Sequence, residues 1–464
     1  MLNRLRQTQF PTLLAVTAVG IYLLVVVGAT AAIADATRAC SGWPVCAGPL
    51  TDPLVAVAVG HRVVAAAVGA LVLVTGYVGL TSDASRRVKA ALLVGLGLYP
   101  AQVGLGALVA TTGAAGLVPV AHLVTAMAIF GAVVLALAWT LEAQTGTPGE
   151  SPMDLGVDEP IADETERPPL SSFPLGTRVK ATVGAYFRLM KPRLMWLLCL
   201  VASAGMALGA GPDLTARVIV LTLGGGVLAI GASGTFNHIL ERDVDKRMSR
   251  TADRPVATHQ VPVRNAAVFG GLLTVAALAL FAQVNLLAAA LGLSAILFYS
   301  VVYTLVLKPN TVQNTVIGGF AGALPALIGS AAVTGRIGLP GLMLAGVIFL
   351  WTPAHFYNLA LAYKEDYARG GFPMMPVVRG ETETRKHILY YLGATLLAAS
   401  ALSALTDLGW VYAAATTVVG AVFLWAVLRL HREQTEAAAF RAFHASNAYL
   451  GALLVAILVD TLAV

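Results

Sequence analysis

Asn237, Glu241 and Asp245 recur at intervals of four, so on a continuing helix they stack on one face. Two carboxylates and an amide oxygen in such a column suit Mg²⁺, a hard ion that takes oxygen ligands and shares them with phosphate. Arg242, Lys246, Arg250 and Arg254 surround them. The stretch Asn237–Pro255 packs four acidic and five basic side chains into nineteen residues, although the whole chain is only 12% charged. The same run would also serve as a salt-bridged, solvated loop with i,i+4 pairs. Two further clusters weigh toward chemistry. "YKEDYARGG" carries Lys364, Glu365, Asp366, Tyr367 and Arg369, and "FYSVVYTLVLKP" carries Tyr299, Tyr303 and Lys308. Acidic clusters flanked by cations suit an Mg²⁺-bound diphosphate, and an adjoining apolar bundle suits a long lipid tail.

The elements that must position these groups are membrane helices. Of 464 residues, 58% are hydrophobic. Apolar runs of about 20 residues, long enough to cross a bilayer, recur along the chain. They are rich in Gly and Ala, which let such helices pack closely. The expected fold is an all-α polytopic membrane protein of about 13 transmembrane helices. Four lie between residues 11 and 141 and nine between 194 and 463. The basic start "MLNRLRQTQF" leads into a full-length first span and not a cleavable signal. Between the two groups runs an acidic stretch rich in Pro, Gly and Ser, expected to be a disordered linker. The expected organisation is therefore a four-helix domain over 1–145, a linker over 146–180 and a nine-helix domain over 181–464.

Lys and Arg collect on the cytoplasmic side of membrane proteins. With the N-terminus inside, only Arg38, Arg217 and Arg336 of the 30 Lys and Arg fall in outer loops, and Arg62 lies within the second span. All three polar clusters then face the cytoplasm, in the cell membrane. The net charge of +6 follows from this asymmetry. It suits anionic lipid or an anionic substrate and requires no nucleic acid.

The nine-helix part resembles the UbiA-type intramembrane prenyltransferases, and within them the haem O synthases. The match rests on "NHILERDVDKRMSRTADRP", "YTLVLKPNTVQNTVIGGFAGALP" and "WTPAHFYNLALAYKEDYARGGFPMMPVVRG", with "KPR" at Lys191–Arg193. It covers about 185–464. Many relatives have Asp where Glu241 stands; Glu keeps the carboxylate and lengthens its reach. The resemblance implies a UbiA-type bundle that transfers a farnesyl group from farnesyl diphosphate to a vinyl group of haem B. The product would be haem O, with diphosphate released. It assigns Asn237, Glu241, Asp245 and Asp366 to Mg²⁺, and Arg250, Arg254, Lys308 and Lys364 to diphosphate. Tyr303 would steady an allylic cation through its hydroxyl or ring face. His355 is a packing residue on general grounds and a haem contact by the family pattern.

In the four-helix part, His61 and His122 lie on two spans that run in the same direction, roughly 12 Å and 6–8 Å from the outer end. Similar depth allows both imidazoles to ligate one haem iron; two packed structural histidines are the other reading. The loop "CSGWPVC" holds Cys40 and Cys46, for which a disulfide is plausible on an oxidising face. Cys199 lies in the fifth span and is read as packing. With "HRVVAAAVGA" and "AQVGLGALV", these features resemble one half of the haem A synthases. That implies a haem-binding module, with a homodimer or a haem A synthase as its partner. Ala58 stands where that family often has Glu, which puts oxidation by this half in doubt. Other readings are a quinone-type prenyltransferase and a membrane haem carrier or electron-transfer protein. "WTPAHF" argues against the first; two acidic clusters on one face are superfluous to the second.

Overall fold

The computed structural model describes residues 2–33, 36, 39–40, 42–46, 48–112, 116–147, 149–156, 174–406 and 408–462. Arg38 and residues 157–173 of the expected linker lie outside these. Among the described residues all regular structure is helical, and thirteen helices are long and apolar enough to cross a membrane. Large apolar side chains such as Val220 (68% exposed) and Val275 (69%) face outward along them. In a multi-pass membrane protein such side chains meet lipid.

The chain forms two compact units. The first comprises Met1–Pro148, Arg385–Gln434 and His444–Ala456. It holds α1 (Leu2–Ile33), α2 (Pro53–Leu80), α3 (Arg86–Thr112), α4 (Val118–Thr145) and stretches of the last three helices. Tyr22 packs on Phe130 with ring centroids 5.8 Å apart. Trp139 Nε1 donates to the Tyr390 hydroxyl at 2.7 Å, and Lys386 Nζ pairs with Glu142 Oε1 at 2.7 Å. Cys40 and Cys46 are disulfide-bonded. This partition differs from the expected division at 145 and 181. Hydropathy says that a helix is membrane-long; it does not say which neighbours cover its buried stripe.

The second unit comprises Gly149–Thr384, Thr435–Phe443 and Ile457–Val464. Its helices begin with α5 (Leu175–Leu189), α6 (Pro192–Ala210), α7 (Ala216–Leu240), α8 (Arg242–Asp245), α9 (Val263–Ala282) and α10 (Leu286–Leu297). They continue with α11 (Lys308–Asn310), α12 (Asn314–Thr334), α13 (Leu339–Ala362), α14 (Lys364–Arg369) and α15 (Met375–Val378). Helix α16 (Gly380–Leu405) begins in this unit; α17 (Trp410–Glu433) and α18 (Glu436–Leu462) complete the chain. Gly205 on α6 and Gly329 on α12 let these two backbones approach, because a methyl at either would strike a carbonyl oxygen of the other helix. Between α10 and α11, Phe298–Leu307 is π-helical. The Thr304 hydroxyl donates to the Tyr299 carbonyl five residues back, and the Lys308 N–H reaches the Tyr303 carbonyl.

Both flanks of the expected linker are structured. Met153 N–H donates to Val377 O and Gly156 N–H to Ala368 O, each at 2.8 Å. Met153 packs into an apolar cluster with Met248, Tyr367 and Met374. The Glu150 carboxylate accepts from Glu381 N at 2.5 Å and Thr382 N at 3.1 Å, capping the start of α16. Gly380, at φ +83°, makes room: a Cβ there would sit 2.7 Å from the Glu150 carboxyl carbon. The stretch was expected to be a tether because its composition is acidic and polar, yet a single carboxylate at a helix N-terminus is a structural contact. On the other flank, α5 buries Ala185 and Leu189 against Val256 and Val261.

Candidate active site

Helix α7 ends at Leu240 with Glu241 as its cap, and α8 follows at once. The four-residue bonding rhythm persists across the join: Glu241 N–H donates to Asn237 O, and Asp245 N–H to Glu241 O. The three expected side chains therefore stay in one column although the helix is interrupted. All three are buried.

Each is engaged. The Asn237 Oδ1 accepts from Lys191 Nζ at 2.5 Å, and its Nδ2 donates to the Thr304 hydroxyl at 3.1 Å. Glu241 Oε1 accepts from Lys308 Nζ at 2.5 Å and Oε2 from Arg254 at 3.4 Å. Arg254 Nη1 donates to both Asp245 oxygens at 2.7 Å. Burial alone would raise the Glu241 carboxyl, but Lys308, Lys191 and Arg254 overcome it and hold it down at about 2. Burial keeps Asp245 above its ordinary range despite Arg254. Burial also draws Lys191 down to about 7.

Lys191 carries the largest role that sequence reasoning missed. It was singled out only as part of "KPR". Here it adopts a left-handed backbone (φ 55°, ψ 57°) at the start of α6, which turns the chain into the helix. Its Nζ also reaches the Tyr299 hydroxyl at 3.2 Å. Tyr299 and Tyr303 stack with centroids 5.5 Å apart along the π-helical stretch, and a side chain at Gly318 would strike the Tyr303 ring. Lys308 Nζ lies 4.1 Å from the Phe372 ring centroid.

Asp366 stands apart from the column. Its carboxylate accepts from Ser249 N (3.2 Å), Ser249 Oγ (2.7 Å) and Arg250 N (3.0 Å), and pairs with Arg369. Burial opposes these bonds, but together they hold Asp366 below the ordinary carboxylate range. It fastens the loop that carries Arg250, whose guanidinium lies 5.2 Å and 5.6 Å from the Tyr363 and Tyr367 ring centroids. Lys364, expected at a diphosphate, pairs with Glu381. The His355 ring is stacked between Trp351 (4.2 Å) and Phe443 (4.4 Å). Among the described residues no three carboxylate, His or Cys groups converge as a metal-holding set. The oxygen donors in the column are two carboxylates and an amide oxygen.

A cavity begins at Lys191 and Tyr299 and continues between α6, α7, α9, α10 and α12. Beyond Ser233 its walls are apolar, with Ala229, Ala295, Ile328 and Phe281 among them.

In the first unit, the His61 and His122 Nδ1 atoms are buried without a hydrogen-bond partner among the described residues. His122 Nε2 lies 3.3 Å from the Gln102 amide nitrogen. Each imidazole rests on a glycine. A Cβ at Gly28 of α1 would come within 3.2 Å of His61, and one at Gly106 of α3 within 3.1 Å of His122.

Residues 197–451, more than half of the chain, match the model of the UbiA prenyltransferase family. The chain belongs to the UbiA prenyltransferase family. This prenyltransferase is 68% identical to Protoheme IX farnesyltransferase 1 of Natronomonas pharaonis, over 99% of its own length and 100% of the relative's. It is 44% identical to Protoheme IX farnesyltransferase 1 of Saccharopolyspora erythraea, over 61% of its own length and 91% of that protein's. The solved structure of a digeranylgeranylglyceryl phosphate synthase shares the fold, with a TM-score of 0.52 at 15% identity, over 61% of this chain and all of that one.

Proposed function

We propose that the protein transfers the farnesyl group of farnesyl diphosphate to a vinyl group of haem B, giving haem O and diphosphate. The observation that carries this reading is the charge at the column: Lys191, Lys308 and Arg254 surround only two carboxylates, Glu241 and Asp245. Lys308 and Arg254 are matched by those carboxylates, and Lys191, which burial draws down, has no carboxylate of its own there; an anion joining the column would favour its charged form. The name of the 68%-identical relative supports the choice of acceptor and donor.

In this reading Lys191, Lys308 and Arg254, with Arg250 from the adjoining loop, bind the diphosphate oxygens. Glu241, Asp245 and the Asn237 amide oxygen would hold Mg²⁺, which supplies charge neutralisation to the leaving group. The allylic C–O bond breaks and its electron pair departs with the diphosphate; preorganised cations lower the cost of that charge. The vinyl π-pair forms the new C–C bond to the farnesyl carbon. Water then captures the resulting cation beside the porphyrin and loses a proton, which leaves the hydroxyl of haem O. Tyr299 and Tyr303 present their ring faces to the allylic cation. The cavity beyond Ser233 takes the tail and keeps water from it. Asp366 acts as a positioning residue for the Ser249–Arg250 loop. In this reading the charged ends face the cytoplasm, which the distribution of Lys and Arg supports.

The first four helices bind a haem through His61 and His122 in the same reading, on the strength of their unpartnered buried nitrogens. Two imidazole ligands would give low-spin iron in the absorption spectrum; His61→Ala or His122→Ala would remove it. For prenyl transfer, the test is release of inorganic diphosphate by the purified full-length chain. Release should require farnesyl diphosphate and haem B together and should stop in EDTA. Release that is indifferent to haem B would overturn the assignment of the acceptor.

A further inference from the structure

The lining of the cavity that starts at Lys191 and Tyr299 includes the small residues Gly226, Ala229, Ala295 and Ala321 beside the aliphatic Leu198 and Ile328. Away from that charged end it holds one aromatic ring. Phe281, near the end of α9, is fully buried. It is seated between glycines of two different helices: a Cβ at Gly225 of α7 would approach its ring at 2.9 Å, and one at Gly292 of α10 at 2.6 Å. The ring can occupy this place only because both positions lack side chains. Gly225 is twelve residues from Asn237 along α7, which puts the ring roughly 18 Å from the charged end at 1.5 Å per residue. That is comparable with an extended three-isoprene chain.

We infer that Phe281, socketed by Gly225 and Gly292, is the floor of the tail cavity and sets the length of prenyl chain the enzyme accepts. The inference rests on the reading of this cavity as the tail site and goes beyond it by naming the residue that measures the tail. A longer chain must displace the ring from a socket with no slack on either glycine side. A shorter one leaves apolar wall uncovered. A difference of one or more methylene-sized groups in a hydrophobic pocket changes discrimination by about tenfold or more.

The experiment is a competition with the full-length protein, haem B and equal concentrations of geranyl, farnesyl and geranylgeranyl diphosphates, with the alkylated haems separated by mass. Wild type should favour farnesyl. Phe281→Ala should raise the geranylgeranyl-to-farnesyl ratio by about tenfold or more, with Phe281→Leu in between. Gly292→Ala should act in the opposite sense. Its methyl presses the ring from the α10 side toward the cavity that the ring lines, and the geranyl-to-farnesyl ratio should rise. The two shifts need no equal overall activity, because each is a ratio within one reaction. If Phe281→Ala is poorly folded, Phe281→Leu and Gly292→Ala decide the matter. Unchanged ratios in folded variants would overturn the floor assignment while leaving prenyl transfer intact. Absence of any prenylated haem from wild type would instead overturn the function on which it rests.

Discussion

Asp245 holds Arg254 most closely, accepting both of its 2.7 Å hydrogen bonds, and in the proposed function it is one of the two carboxylates at the diphosphate site. Asp245→Ala is predicted to lower prenyl transfer by at least about 10²-fold, measured as diphosphate release, while the protein still inserts in membranes. Glu241 tests reach against charge. Glu241→Asp should keep substantial activity and Glu241→Gln should lose most of it, since Lys308 would be left beside a neutral amide. Asp366→Ala should cost about 1.5–3 kcal/mol of stability by freeing the Ser249–Arg250 loop. The sign with pH follows from its depressed carboxyl. The Asp366 contribution is complete above the ordinary carboxylate range and is lost as pH falls through its lowered value. Thermal unfolding of Asp366→Asn against wild type, across that range, checks it. At this scale the four-residue spacing made Asn237, Glu241 and Asp245 legible, and the charge run made Arg254 legible. Lys191 was not, because a left-handed turn before a helix has no compositional signature in a lysine. Nor was the loop-fastening role of Asp366, which depends on backbone N–H groups more than a hundred residues away.

At the scale of elements, a π-helical stretch brings Lys308 and the two tyrosines to the column. The sequence read Phe298–Leu307 as ordinary helix because its hydrophobic run fits either hydrogen-bonding pattern. π-Helical turns are costly and concentrate at functional sites, and here Thr304 ties the stretch to Asn237. The segment Gly149–Gly156 is the second such element. Polarity marked it as tether, but Glu150 caps α16 and Met153 packs beside Tyr367. Glu150→Ala is predicted to lower stability by about 1 kcal/mol, the usual value of a helix cap. Glu150→Gln, which keeps an acceptor oxygen, should lose less. A thermal-unfolding comparison of the two in detergent distinguishes them; equal losses would mean that the carboxylate is not acting as a cap.

At the scale of the molecule, thirteen spans were readable from hydropathy and the charged clusters from composition, since a bilayer imposes length and polarity on every helix that crosses it. The grouping of the last three helices with the first four was not, because covering an apolar stripe with lipid or with another helix leaves the same pattern in the sequence. That grouping includes the bonds of Trp139 to Tyr390 and Glu142 to Lys386. The 44%-identical relative aligns over 91% of its own length with only 61% of this chain. The remainder of this chain has no counterpart in that alignment. The most direct test of the proposed chemistry is the mass of haem recovered after the purified full-length protein is incubated with haem B, farnesyl diphosphate and Mg²⁺. The expected product is heavier than haem B by one farnesyl group and one hydroxyl group, and it is absent with Asp245→Ala. Recovery of unaltered haem B from wild-type protein under these conditions, or the same product from Asp245→Ala in equal yield, would contradict the account.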